Sequence, residues 1–187
     1  ALLRDRRHKA TAREILVGYG EPVIDTLAYF LRDPEEDIWV RRHLPATLAR
    51  IRAQKSMDVL VEALAEQDGF LRFKVVEAIE RLRRDRPALT VPREPVEKLA
   101  LTEGYRSLTY LSLRYNLVEG AKRPADGLLT RALGEKTERA VDRIFRLLGF
   151  LYSSKDIAAA RWALEHGDSR ARARSLEFLD NTLDGAL

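Results

Sequence analysis

The stretch that decides the fold is residues 38–51, IWVRRHLPATLARI, because a second copy of its pattern follows in the chain. Shifted by 31 positions, it lies over residues 69–82, GFLRFKVVEAIERL. Apolar residues recur in both copies at spacings of four, four and three, which places them on one stripe of a helix. The predicted core stripe is Val40, Leu44, Leu48 and Ile51 in the first copy, and Leu71, Val75, Ile79 and Leu82 in the second.

The helix before each copy also repeats. At a shift of 34, Val23, Leu27, Phe30 and Leu31 lie over Met57, Val61, Leu64 and Ala65. A further copy of the second helix lies near the end of the chain, where residues 168–180 match residues 68–80 at a shift of 100. A helix–turn–helix unit therefore recurs, and such units bury their apolar stripes by stacking on one another.

Each predicted turn carries an Asp, and an Arg follows it in the second helix. The pairs are Asp33 with Arg41, Asp68 with Arg72, and Asp168 with Arg172. A carboxylate in the turn can cap the helix by accepting from its unpaired N–H groups, and the Arg can pair with a carboxylate of its own or a neighbouring repeat. The pattern predicts a structural ladder of Asp and Arg, or alternatively a row of arginines that binds a ligand.

The rest of the chain is helical in pattern but less regular. Pro87, Pro92 and Pro95 mark an irregular break near residues 86–95, and a turn is expected at Gly134 and Glu135, with a helix from about Glu138 to Tyr152. No segment has the alternating pattern of a strand. We therefore predict a single all-α domain over residues 1–187, a right-handed α-solenoid of antiparallel helix pairs with about ten helices.

The Asp, Arg and apolar positions of the three copies resemble HEAT repeats of the armadillo type, including the lyase-type HEAT-like repeats. The resemblance covers most of the chain and is weakest over residues 87–125. It implies a binding architecture and supplies no catalytic residues. Residues 143–152 and 173–181 are also similar to HEAT segments of bacterial multidomain proteins that carry a nucleotide-translocase-like or cyclic-nucleotide-binding domain. That similarity implies a cytoplasmic regulatory segment of a larger bacterial membrane or signalling protein.

Composition limits the classes of site. The 187 residues include no cysteine, which excludes disulfides, cysteine–zinc sites and thiol nucleophiles, and their formal net charge is +4. No apolar run approaches the roughly 18–20 residues that cross a membrane. We interpret the opening Ala1, in place of a methionine, as the mark of a fragment of a longer protein, and we expect a cytoplasmic location.

No pattern predicts a metal, cofactor or catalytic site. His8, His43 and His166 are far apart and lack a second ligand at helical spacing. The acidic cluster Glu35-Glu36-Asp37 lies at a helix start, where negative charge favours the helix dipole. Gly18 and Gly20 lack the context of a phosphate-binding loop. We therefore expect no enzyme, no cofactor and no metal.

Aromatic and basic residues are the candidate binding elements. Trp39 and Trp162 are candidate exposed aromatics, with packing between helices as the alternative. Arginine, lysine and histidine form three clusters: Arg4, Arg6, Arg7, His8 and Lys9; Arg81, Arg83, Arg84 and Arg86; and Arg170, Arg172 and Arg174. Second helices of such repeats line the concave surface, where basic residues could meet phosphates, although acidic residues are interspersed throughout.

These features favour a non-enzymatic binding scaffold whose partner is a protein or a neighbouring domain of its own chain. The alternative is a nucleic-acid-binding HEAT-like protein, in its extreme form an alkylated-base DNA glycosylase, which would need an aromatic cleft with a catalytic Asp. A third hypothesis is a bilin-lyase-like protein that binds a tetrapyrrole. A basic stripe with an exposed Trp would favour nucleic acid, whereas patchy mixed charge would favour a protein partner.

Overall fold

The computed structural model describes residues 2–5, 7–122 and 124–183, and this part of the chain is helical with no strand. The prediction of an all-α protein is confirmed. The chain divides into two compact units, Ala1–Pro95 and Val96–Leu187. The boundary lies in the first turn of the helix that follows the non-helical residues 86–92, at the end of the break expected near residues 86–95. The single-domain organisation stays a prediction, and the two units are described in turn.

The first unit contains six helical segments, and short 3-10 turns precede α2 and follow α5. The helices are α1 (Lys9–Gly18), α2 (Ile24–Arg32), α3 (Ile38–Arg41), α4 (Leu44–Ile51), α5 (Gln54–Glu62) and α6 (Gly69–Asp85). The second helix of the first repeat is thus split into α3 and α4. Pro45 lies in the first turn of α4. Proline is tolerated there because the first N–H groups of a helix have no intrahelical acceptor, so the split coincides with a natural helix start.

The core of the first unit surrounds α4, which contacts α1, α2, α5 and α6. Leu48 and Ile79 are both 0% exposed, and they occupy matching positions 31 residues apart in α4 and α6. The neighbouring positions of the stripe, Val40 with Leu71 and Leu44 with Val75, are buried as well. The predicted register is therefore confirmed at these three positions of the first two copies, whereas Ile51 is only half-buried although its counterpart Leu82 is buried.

The predicted register of the first helices is wrong by one residue. Phe30 and Ala65, which a shift of 34 treats as core, are exposed. At a shift of 33, the four buried residues of the stripe in α2 match buried residues in α5: Ile24, Leu27, Ala28 and Leu31 lie over Met57, Leu60, Val61 and Leu64. The small Ala28 occupies one place in the stripe, and the larger Phe30 is the misleading residue because size alone does not determine which helix face is buried.

The second unit is built on four helices, with a π-helical turn at Asn116–Gly120 after the first. They are α7 (Arg93–Tyr115, which begins just before the unit boundary), α8 (Leu128–Leu151), α9 (Ser154–His166) and α10 (Ser169–Thr182). The turn expected at Gly134 and Glu135 is wrong, because α8 is continuous through it. One glycine inside a helix costs only about 1 kcal/mol. Burial of Leu133 and Ala140 on either side offsets that cost.

A buried carboxylate joins α7 to α8 within the second unit. Glu103 is 0% exposed and pairs with Arg143 at 2.7 Å and with Arg106 at 2.8 Å. Farther along the chain, Gly167 lets α9 approach α10 closely. A Cβ at Gly167 would lie 2.8 Å from the Cβ of Ala171, closer than real Cβ atoms come. These contacts hold the helices of this unit in place despite its smaller apolar core.

The matching core positions can be tested with two chemically identical substitutions. We expect Ile79→Ala to lower the free energy of unfolding by about 2–5 kcal/mol, because it empties a fully buried site. Ile15→Ala removes the same atoms from a side chain that is 55% exposed, and the free energy should change by less than about 0.5 kcal/mol. Urea denaturation followed by circular dichroism measures both. Equal losses for the two variants would contradict the register.

Candidate binding groove

A groove runs along one side of the first unit, lined by residues of α1, α3, α4 and α6 and of the turn between α3 and α4, with a volume of about 500 Å³. We call it the basic groove because five of the side chains that line it are cationic and one, Glu77, is acidic. The cations are Lys9, Arg13, Arg42, Lys74 and Arg81. The second helices of the first two repeats supply most of this lining. Equivalent positions of the two repeats therefore lie side by side in the groove.

Arg42 lies between two exposed aromatic rings in the basic groove. Its guanidinium carbon is 5.4 Å from the centroid of Trp39 and 4.8 Å from that of Phe70, both within cation–π range. Asp68 holds the guanidinium with both carboxylate oxygens, at 2.9 and 3.3 Å. The same carboxylate accepts from the backbone N–H of Leu71 at 2.6 Å and so caps α6. The rings therefore flank a side chain that the fold itself immobilises.

The charge on Asp68 is stabilised by this arrangement. Burial by itself raises the pKa of a carboxyl group, but the hydrogen bonds from Arg42 and the Leu71 N–H outweigh it and hold the pKa of Asp68 below its usual value. Asp68 thus stays ionised at neutral pH, and it neutralises Arg42. The positive character of the groove must come from the other cations.

Those other cations are incompletely neutralised. Lys74 pairs with Glu77 at 2.7 Å, and Arg13 donates to the hydroxyl of Thr47 at 3.2 Å. Within the described residues, neither Lys9 nor Arg81 has a carboxylate within ion-pairing distance. The basic groove therefore has an excess of positive charge that an anionic ligand would relieve.

Two pKa shifts reflect this excess. Burial, followed by the positive charges of Lys9, Arg13 and Lys74, lowers the pKa of His43 from its usual 6.5. Burial and the charges of Arg50 and Arg81 likewise lower the pKa of Arg13, although Glu14 acts in the opposite direction. Like charges face one another across α1, α4 and α6, so His43 is neutral at pH 7 and protonating it is unfavourable.

The sequence singled out Trp39 and missed Phe70. Trp39 is 53% exposed and Phe70 is 49% exposed. The signal for Phe70 was present, because the shift of 31 that aligns the core stripe also puts Phe70 under Trp39. Trp162 is exposed too, but it lies in the second unit, where its ring stacks on His166 at 5.5 Å between centroids. The structure does not bring it into the basic groove.

The predicted Asp–Arg pairs do not form. Arg41 is buried, pairs with Glu66 at 2.8 Å and donates to the carbonyl of Leu31 at 2.9 Å. Arg72 is also buried and donates to the backbone carbonyls of Glu66 and Gln67. Both side chains thus bind the turn that precedes α6. Arg72, in the first turn of α6, lies beside carbonyls of the incoming turn, while Asp68 caps α6 and binds Arg42.

Two of the three aspartates are helix caps, and the third was assigned to the wrong residue. Asp68 caps α6, and Asp168 caps α10 by accepting from the N–H of Ala171 at 2.8 Å. In the first copy the cap is Asp37, which accepts from the N–H of Trp39 at 2.8 Å. Asp33 ends α2 and accepts from the N–H of Glu35 instead. A cap must directly precede its helix, so the longer turn at residues 34–36 displaces Asp33 from that role.

The arginine row and the basic clusters are only partly brought together. Arg41 and Arg72 are buried in the first unit, whereas Arg172 is exposed in the second. Of the three basic clusters, Lys9 and Arg81 reach the basic groove, and Arg4 pairs with Asp37 at 2.7 Å. Arg170 and Arg174 are exposed on α10, and Arg6 lies outside the described residues. A role of the arginine row as a ligand surface stays a prediction.

A second groove, between α2 and α5, has the opposite charge balance. It has a volume of about 580 Å³ and is lined by four carboxylates and two cations. Lys55 crosses it to Asp25 at 2.6 Å, and Arg32 crosses it to Glu62. Because these pairs bridge the two helices, this groove has the character of a salt-bridged helix contact.

Among residues 2–5, 7–122 and 124–183, no group of three His, Asp or Glu side chains is placed to hold a metal ion. Within the same residues, no helix combines the length and the apolar character needed to span a membrane.

Comparison with known proteins provides no identification. No family model, no curated protein and no solved structure matches this chain significantly.

Arg72 and Arg172, two arginines of the predicted ladder, can be compared to separate a structural role from a surface role. Arg72→Ala should lower the free energy of unfolding by about 1–3 kcal/mol, because it removes the donors that satisfy buried carbonyls. Arg172→Ala makes the same change at the equivalent but exposed position, and it should alter stability by less than about 0.5 kcal/mol. Thermal melts of the two variants measure the difference. Unchanged midpoints for both would show that Arg72 has no structural role.

Proposed function

We propose that this chain is a non-enzymatic binding scaffold of HEAT-like repeats that binds an anionic partner in the basic groove. The single observation that carries the proposal is the groove itself, in which Lys9 and Arg81 lack carboxylate partners among the described residues and line the same groove as two exposed aromatic rings. The partner is an acidic protein segment, a neighbouring domain of the same chain, or a nucleic acid.

Contacts between equivalent helices of the first unit support the repeat architecture. Lys55 pairs with Asp25 at the starts of α5 and α2, and Arg32 with Glu62 at their ends, so the two first helices run in the same direction. Along α4 and α6, the contact of Arg42 with Asp68 near the helix starts and that of Arg52 with Asp85 at their ends have the same order.

One contact supports opposite directions for the two helices of a pair, here α5 and α6. Gln54 at the start of α5 exchanges two hydrogen bonds with the backbone of Thr90, which follows the end of α6. In an antiparallel helix pair, the start of one helix lies beside the end of the other. Parallel equivalent helices with antiparallel partners are what a solenoid of helix pairs of either hand requires, and we propose the right-handed form. We extend that architecture to the whole chain as part of the proposal.

The setting of the scaffold is proposed from the sequence resemblance. We propose that it acts in the cytoplasm, as a regulatory or coupling segment of a larger bacterial membrane or signalling protein. In that setting the basic groove would receive an acidic surface of a partner or of a neighbouring domain. The charge excess of the groove gives such a contact its electrostatic complementarity.

The enzymatic alternative is a glycosylase acting on alkylated DNA. It requires a carboxylate beside the bound base, and Glu77 is the carboxylate that lines the basic groove. Lys74 holds Glu77 at 2.7 Å, which leaves its charge partly neutralised. Release of alkylated bases by the protein, abolished by Glu77→Gln, would replace the binding proposal with this one.

Charge reversal in the groove tests the proposal with inorganic polyphosphate as the probe. We expect Lys9→Glu with Arg81→Glu to weaken polyphosphate binding at least ~10-fold, because both contacts become repulsive. The control, Arg84→Glu with Arg170→Glu, changes the net charge by the same amount at exposed positions outside the groove. Isothermal titration calorimetry measures the affinities. Equal weakening in both variants would mean that net charge, rather than the groove, binds the anion.

His43 provides an independent readout inside the groove. A bound polyanion should raise the pKa of His43, because it counters the positive charges of Lys9, Arg13 and Lys74 that lower it. By linkage, polyphosphate should then bind more tightly as the pH falls towards the pKa of His43, since binding is coupled to proton uptake. NMR titration of the imidazole measures the pKa with and without polyphosphate, and His43→Gln assigns the signal. An unchanged pKa at saturating polyphosphate would place the anion elsewhere.

A further inference from the structure

The basic groove contains two kinds of side chain that could recognise a ligand, and few ligands have groups that match both. One is the set of cations, dominated by Lys9, Arg13 and Arg81, and the other is the pair of half-exposed rings of Trp39 and Phe70. A ligand that satisfies both must carry repeated negative charge and flat aromatic groups. Polynucleotides have this combination, because each nucleotide brings one phosphate and one base.

Contacts with Arg42 restrain both rings. Arg42 lies against both of them, and Asp68 fixes Arg42 through a two-point ion pair while capping α6. Lys74, one turn after Phe70 in α6, lies 5.4 Å from the centroid of the Phe70 ring. Rings that are already restrained lose little conformational entropy when a base stacks on them, which favours binding.

The strand must be single. Bases in a duplex are stacked on their neighbours, and their faces cannot reach a protein side chain. An acidic peptide would neutralise Lys9 and Arg81 equally well, but its carboxylates have no aromatic face to place on Trp39 and Phe70. The exposed rings therefore favour a single-stranded nucleic acid over an acidic protein segment.

We propose that the basic groove binds single-stranded nucleic acid, with bases stacked on Trp39 and Phe70 and phosphates paired with Lys9, Arg13 and Arg81. This inference rests on the proposed anion-binding function and narrows it to one class of ligand. Arg42 acts as a positioning residue in this arrangement, since Asp68 already neutralises its charge. Binding of this kind discriminates little between base sequences, because every base has a face to stack.

The test compares three probes of equal length and charge on the full chain. They are a fluorescein-labelled oligothymidylate of twelve nucleotides, an abasic sugar-phosphate oligomer of the same length, and a poly-glutamate peptide. We expect the oligothymidylate to bind about 100-fold more tightly than the abasic oligomer, from about 10-fold for a base stacked on each of the two rings. Fluorescence anisotropy at several salt concentrations measures the affinities.

Variants separate stacking from charge. Trp39→Ala and Phe70→Leu should each weaken oligothymidylate binding by about 10-fold and leave abasic binding unchanged. Trp39→Phe should retain most of the affinity, and Trp162→Ala, which removes an exposed Trp outside the groove, should change nothing. In the Trp162→Phe protein, whose remaining tryptophan is Trp39, oligothymidylate should quench the fluorescence and the abasic oligomer should not. Thermal melts check that each variant is folded.

The outcomes distinguish failure of this inference alone from failure of the proposed function. If the oligothymidylate and the abasic oligomer bind equally, the groove is a general polyanion site and the stacking inference is wrong, while the anion-binding function stands. If poly-glutamate binds most tightly, the partner is an acidic protein segment and the inference is again overturned. If no probe binds, both the inference and the proposed function fail.

Discussion

Stacking of equivalent helices to bury one apolar stripe is the constraint on which the first unit depends. Leu48 of α4 and Ile79 of α6 lie at matching positions and are fully buried, yet neither helix could bury its own stripe alone. A period of 31 residues in the sequence therefore becomes a lateral repeat in space. Every residue one period from another is brought to the same side of the stack. The basic groove is a consequence, because Trp39 and Phe70, as well as His43 and Lys74, are related by that period.

Asp68 links this architecture to the groove. Its carboxylate accepts the N–H of Leu71 in the first turn of α6, as a helix cap does, and also binds Arg42 from the preceding repeat. Arg42 in turn separates the two aromatic rings. One carboxylate thus stabilises a helix end, joins two repeats and orders the recognition surface. Binding elements that are ordered by the fold need little rearrangement when a ligand arrives.

The two grooves of the first unit illustrate how charge is divided between its sides. Between α2 and α5, acidic and basic side chains pair across the helices, so that groove is internally compensated. On the side of α1, α4 and α6, burial and neighbouring cations lower the pKa of both Arg13 and His43. Mutual repulsion of this kind costs stability in the absence of a ligand. Under the proposed function, an anion that enters the basic groove would recover part of that cost, and its binding would stabilise the first unit.

The amino-acid sequence by itself determined the all-α class, the 31-residue register of the second helices and the caps at Asp68 and Asp168. These follow from periodicity and from contacts only a few residues apart, which are readable along one chain. The sequence misassigned the cap of the first repeat to Asp33 and the partner of Arg41 to the same residue. Only the tertiary structure decided that Arg41 pairs with Glu66 and that Arg42 lies between Trp39 and Phe70. Those contacts depend on the lateral and axial offsets between stacked helices. Packing of the whole core determines these offsets, so no single segment of the sequence predicts them.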